Sequence, residues 1–132
     1  MTNIEDWKDI LAPCPIGVTP YVVVSAKFSM SIDEAKDRLM EILREHGVPF
    51  VLLGDVLESC RFAVFFERVT RYGTSTSTIN YAIIHIDPPR DRVKRAIEYV
   101  FAILKETGFE IGMTVDEAVR EYERVVKALT CS

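Results

Sequence analysis

From Tyr21 to Phe28 apolar residues fall on alternate positions. Val22, Val24, Ala26 and Phe28 share one side and Tyr21, Val23, Ser25 and Lys27 the other, which predicts a strand with two unlike faces. The period changes at Ser31. Ile32, Ala35, Leu39, Ile42 and Leu43 recur at helical spacing with charged residues between them. Ser31 and Glu34 make a capping box, and Gly47 supplies a stop. Runs rich in branched and aromatic residues then predict strands over Pro49–Leu57, Arg61–Thr70 and Ile79–Ile86, with Gly54-Asp55 marking a bulge or turn inside the first. The link TRYGTSTST is too long for a two-residue turn and reads as a longer β-loop. Asp87-Pro88-Pro89 ends the last of these strands and is expected to open a helix reaching about Thr107, stopped by Gly108. A final helix over 114–130 is capped by Thr114 and Glu117 and carries Val115, Ala118, Val119, Tyr122, Val126 and Leu129 on one stripe. Residues 1–17 hold a short helix, with Thr2 and Glu5 as its capping box and Ile4, Trp7 and Leu11 on one face, and a proline-rich connector.

The order α-β-α-β-β-β-α-α predicts one α+β domain over residues 1–132. Its core is β-α-β-β-β-α: a four-stranded, mostly antiparallel sheet with two long helices on one face, plus the short N-terminal and longer C-terminal helices. Only the connection through the Ser31 helix could form a parallel-type crossover. If Phe62, Val64 and Phe66 face the helices, then Ala63, Phe65 and Val69 face away, together with Tyr21, Val23, Ile79, Tyr81 and Ile83. A solvated sheet face is mostly polar, and this one is not. Either a terminal helix covers it, or a second copy does through a two-fold axis, with Tyr21, Val23, Phe65, Tyr81 and Ile83 as the expected interface. The segment AIEYVFAIL, apolar nearly all round, asks for extra burial on either account.

Composition narrows the classes. A net charge of −4 argues against the whole molecule seeking polyanions. No window approaches a membrane span. The first residues lack the basic region of a signal peptide, so a cytoplasmic location is expected. The absence of Gln, with two Asn and ten Arg to six Lys, suggests a thermophilic source. Cys14, Cys60 and Cys131 form no CxxC pair and no zinc spacing with His46 or His85, so no metal or cofactor is assigned. They read as three separate thiols, although intracellular proteins of hyperthermophiles do carry disulfides.

Charge is uneven. Arg61, Arg68, Arg71, Arg90, Arg92, Lys94 and Arg95 stand against Glu67, Asp87 and Asp91, a positive stretch within an acidic chain. Arg90, Arg92, Lys94 and Arg95 are expected in the first turns of a helix, where positive charge opposes the macrodipole and a bound anion would relieve it. An anion site for a phosphate-bearing ligand or nucleic acid would use Arg68, Arg71, Thr74, Ser75, Thr76, Arg90, Arg92 and Lys94. The competing reading is a surface ion-pair network in which Asp87, Asp91 and the acidic first helix hold these arginines. The loop has no P-loop pattern. His85 and Asp87 share a strand face, and with Cys60 nearby they could be drawn as a nucleophilic site. His46, at a helix C-terminus, needs no further role. No catalytic residue is assigned. The leading expectation is a non-enzymatic binding module that self-associates as a homodimer, then a nucleic-acid or nucleotide-phosphate binder, then a small Cys/His enzyme.

Overall fold

The computed structural model describes residues 6–75 and 77–130. Over them the chain runs α1 (Trp7–Leu11), β1 (Val22–Phe28), α2 (Ile32–Glu45), β2 (Phe50–Leu53), β3 (Val56–Ser59), β4 (Phe62–Arg71), β5 (Ser77–Ile86), α3 (Val93–Thr107), β6 (Glu110–Ile111) and α4 (Val115–Thr130). Two predicted caps form. Ser31 Oγ accepts the Glu34 N–H at 3.1 Å. Thr114 Oγ1 accepts the Glu117 N–H while Glu117 Oε1 accepts the Thr114 N–H, both at 3.2 Å. The Thr2/Glu5 box lies outside the described residues, and α1 is capped by Asp6, which accepts the Lys8 N–H at 3.0 Å.

The α+β class holds, but the sheet has six strands rather than four, in the order β2-β3-β4-β5-β1-β6, with every neighbouring pair antiparallel. Gly54-Asp55 is a two-residue hairpin turn: Leu53 pairs with Val56, and Gly54 takes φ +61°, splitting the expected second strand into β2 and β3. β6 has two residues, too few to show an alternation. The Ser31 helix does carry a crossover. β1 and β2 run in the same direction, but three strands lie between them, so no parallel ladder forms.

One sheet face makes the core, with Val22, Val24, Phe28, Phe62, Val64, Phe66, Ala82, Ile84 and Ile86 buried against Leu39 and Leu43 of α2 and Ile97, Phe101 and Leu104 of α3. The near-complete apolarity of α3 follows from its place, since α1, α2 and α4 all pack against it. It stops at Gly108, whose φ of +107° favours glycine and where an added Cβ would meet the Met30 side chain at 2.7 Å. The start of α3 differs from expectation. Pro88 and Pro89 are buried ahead of the helix, Arg92 is its N-cap, and only Lys94 and Arg95 of the four basic residues lie in its first turn.

The separate-thiol reading is corrected. Cys14 and Cys60 are joined as a disulfide, with Cα atoms 4.9 Å apart, tying the connector after α1 to the segment between β3 and β4. Cys131 lies outside the described residues. Among the described residues no helix is long and apolar enough to cross a membrane.

Candidate functional site

Two surfaces adjoin one another. The first is the sheet face turned away from the helices. Strand register sets Leu53, Val56, Phe65, Ile83 and Ser25 in one row across the sheet, and Val51, Glu58, Ala63, His85 and Val23 in the next. Neither terminal helix covers these rows: α1 packs on α3, and α4 on α3 and β1. Val23, Val51 and Leu53 are 46%, 57% and 68% exposed, while Phe65, Ile83 and His85 are half-buried by their neighbours. The His85 ring packs on Phe65 with centroids 4.6 Å apart, and burial lowers its pKa, so the imidazole is neutral at pH 7. Toward the β4–β5 loop the face turns polar. There Tyr81 donates to Glu67, a bond that raises the phenol pKa, and Lys27 pairs in register with Tyr81 and Glu110.

The second surface is a polar cleft at the opposite end of that face. Thr19, Tyr21, Arg61, Asp87, Arg90, Asp91, Arg92 and Tyr122, with prolines 13, 88 and 89, enclose about 280 Å³. Local structure explains how they meet. Tyr21 and Asp87 stand just beyond the paired ends of β1 and β5, and the Asp87 N–H donates to the Arg61 carbonyl at 2.8 Å. Arg61 takes φ +72°, an unusual value outside glycine, held between disulfide-bonded Cys60 and the start of β4. Its Nε donates to Leu11 O at 3.0 Å, and Nη1 stands 3.9 Å from Asp87 Oδ1. Tyr21 packs on Tyr122 with ring centroids 5.7 Å apart.

Burial raises the Asp87 pKa, opposed by Arg61, the Thr19 N–H and Arg90. Burial also raises the Tyr122 phenol. Arg92 points elsewhere. It donates to Asp9 O and Ala12 O, both at 2.7 Å, and to Asp91, whose pKa it lowers. Arg61 and Arg92 thus cap the last carbonyls of α1, where positive charge complements the helix dipole. Arg92, ahead of α3, answers to the C-terminus of α1 through its carbonyls and not its carboxylates.

The residues expected to form one anion site are not brought together. Arg68, Arg71, Thr74 and Ser75 lie at or near the far tip of the β4–β5 hairpin, where Arg68 Nε donates to Asn80 Oδ1 at 3.4 Å. Arg90, Arg92 and Lys94 follow the other end of β5, roughly 30 Å away at about 3.3 Å per residue over that strand. Lys94 faces Asp116 at 3.7 Å. Thr76 lies outside the described residues. Of the expected interface set, Val23, Phe65, Tyr81 and Ile83 share the outer face, whereas Tyr21 turns into the cleft. The thiol site is not assembled either, because the Cys60 sulfur is bonded to Cys14 and His85 packs on Phe65. His46 ends α2 and faces Glu106 and Tyr99.

Sequence reasoning missed the cleft because its members span positions 13 to 122. The available signal was Asp87, a carboxylate closing an apolar strand immediately before two prolines. No protein-family model matches this sequence, and neither curated proteins nor solved structures yield a significant match.

Proposed function

We propose that this protein is a non-enzymatic interaction module that pairs with a second copy of itself through the outer face of its sheet. The observation that carries the reading is the outer sheet face around Phe65, Ile83 and Val23, on which Val23, Val51 and Leu53 are exposed and over which no helix of the described residues packs. Exposed apolar side chains gathered on one sheet face mark an association site. A two-fold axis suits it because the same patch serves both partners and association stops at two chains. Polar groups, Glu67, Tyr81 and Lys27, edge the rows at the hairpin end, as an interface rim requires.

Sedimentation equilibrium tests this. The expected result is a mass of two chains that persists in high salt. Val23→Glu should weaken association by about 100-fold, because it would bury a charge without a partner. Val23 is 46% exposed within one chain, so the variant should keep the parent melting behaviour as a monomer. A single-chain mass at every concentration, or a dimer indifferent to Val23→Glu, would sink the proposal.

A further inference from the structure

We infer that the cleft of Arg61, Asp87, Arg90, Tyr21 and Tyr122 binds a small monocarboxylate that also carries a hydrogen-bond donor, a hydroxy or amino acid. The size of the space sets the first limit. About 280 Å³ lies just under the roughly 300–1,000 Å³ span of small-molecule sites, so the space suits a small ligand. Charge sets the second. Arg92 is committed to Asp91 and to the carbonyls ending α1, which leaves Arg61 and Arg90 against Asp87 and a balance of one positive charge. A hydroxy-acid monoanion neutralises that balance, and an amino-acid zwitterion would set its carboxylate by the arginines and its ammonium by Asp87, whereas a phosphate dianion would set its second charge against Asp87.

Donor and acceptor chemistry sets the third limit. Arg61 gives Nε to Leu11 O, but its Nη1 stands 3.9 Å from Asp87, beyond hydrogen-bond length, so the fork keeps donors for a carboxylate. Arg90 lines the same space as Asp87 and Tyr122. The Tyr21 and Tyr122 phenols line it and can donate. Asp87 lines the cleft with its carboxylate 3.9 Å from Arg61 Nη1 and retains lone pairs, an acceptor suited to a hydroxyl or ammonium next to the ligand carboxylate. The cleft is also built rather than incidental. Arg61 is held at φ +72° by a disulfide-bonded neighbour and by a bond to α1, and such backbone geometry at a non-glycine residue is concentrated at ligand sites.

Isothermal titration calorimetry with lactate, glycine, acetate and inorganic phosphate tests the inference on the intact protein. Lactate or glycine should bind, acetate more weakly for lack of a donor, and phosphate least. Arg90→Ala, at an exposed position that folding does not need, should weaken binding by about 10- to 100-fold through loss of a charged hydrogen bond. Tyr122→Phe should weaken it less, and Lys105→Ala, on α3 away from the cleft, should leave it unchanged. The idea fails if neither lactate nor glycine binds, if acetate or phosphate binds as tightly, or if Arg90→Ala has no effect. The cleft does not depend on pairing through the sheet face. Val23→Glu should therefore leave the affinity intact, and each reading can fail without the other.

Discussion

Arg61 ties α1 and the end of β5 to its own segment through one side chain and one peptide. Its carbonyl holds the Asp87 N–H, its guanidinium holds the end of α1 and faces the Asp87 carboxylate, and its own backbone sits at positive φ after Cys60. The ion pair is loose, but both side chains are largely buried, 15% and 12% exposed, so removing one partner leaves the other poorly solvated. Arg61→Ala should destabilise the fold by about 2 kcal/mol, a typical cost of an unsatisfied buried polar group. Adding Asp87→Asn should then cost less than the sum of the two single changes, as urea unfolding midpoints would show. A shift indistinguishable from parent would mean that water already satisfies both groups. From sequence Arg61 is only the first of seven basic residues. Its role depends on Leu11 and Asp87, which alternation and helical period cannot bring to one place.

Among the elements, those with a period and a cap were legible. The Ser31 and Thr114 capping bonds form as their spacing predicts, because the chemistry is local to four residues. Two misreadings share a physical cause in brevity. β6 has two residues and no period, and Gly54 at φ +61° folds what reads as one strand back on itself. The start of α3 moved because Pro88 and Pro89 are buried against the fold ahead of the helix instead of opening it. α1 has five residues and owes its place to tertiary bonds: the Arg61 and Arg92 caps and the Cys14–Cys60 disulfide in the connector that follows it. Reduction should lower stability by up to about 4 kcal/mol, the loop-closure figure for a bridge spanning 46 positions. Denaturation with and without reductant would measure this, and Cys14→Ser should reproduce the reduced value. Equal stability in the two states would mean that the bridge constrains little in the unfolded chain.

At the scale of the whole molecule, all the helices lie against one another, the core face or β1, and an apolar sheet face is left over. His85 sits in its centre and titrates there. Its folded pKa is lowered from 6.5 by burial, so folding favours the neutral ring, and burial against a second copy would lower it further. The single chain then binds a proton more readily than the pair. Self-association should be full above pH 6.5 and weaken as pH falls through the lowered value. Sedimentation across that range measures the effect, and His85→Gln should remove the dependence. Association that is constant with pH in the parent would place His85 outside the interface. The outer face was anticipated from alternation alone, as was its apolar character. That neither terminal helix covers it was not, because helix placement depends on which hydrophobic stripe finds which groove.

By itself the sequence determined the α+β class, the Ser31 and Thr114 caps, the alternating faces of β1, β4 and β5 and the amphipathic stripes of α2 and α4, because each rests on residues a few positions apart whose geometry the backbone sets. Tertiary structure decided the rest. It set the place of β1 inside the sheet, the partition of the basic residues between two ends of a strand, the pairing of Cys14 with Cys60, and the meeting of Arg61, Asp87, Tyr21 and Tyr122 around one cleft. These are contacts between distant segments. They are selected by burying the core as a whole, and no local pattern encodes them.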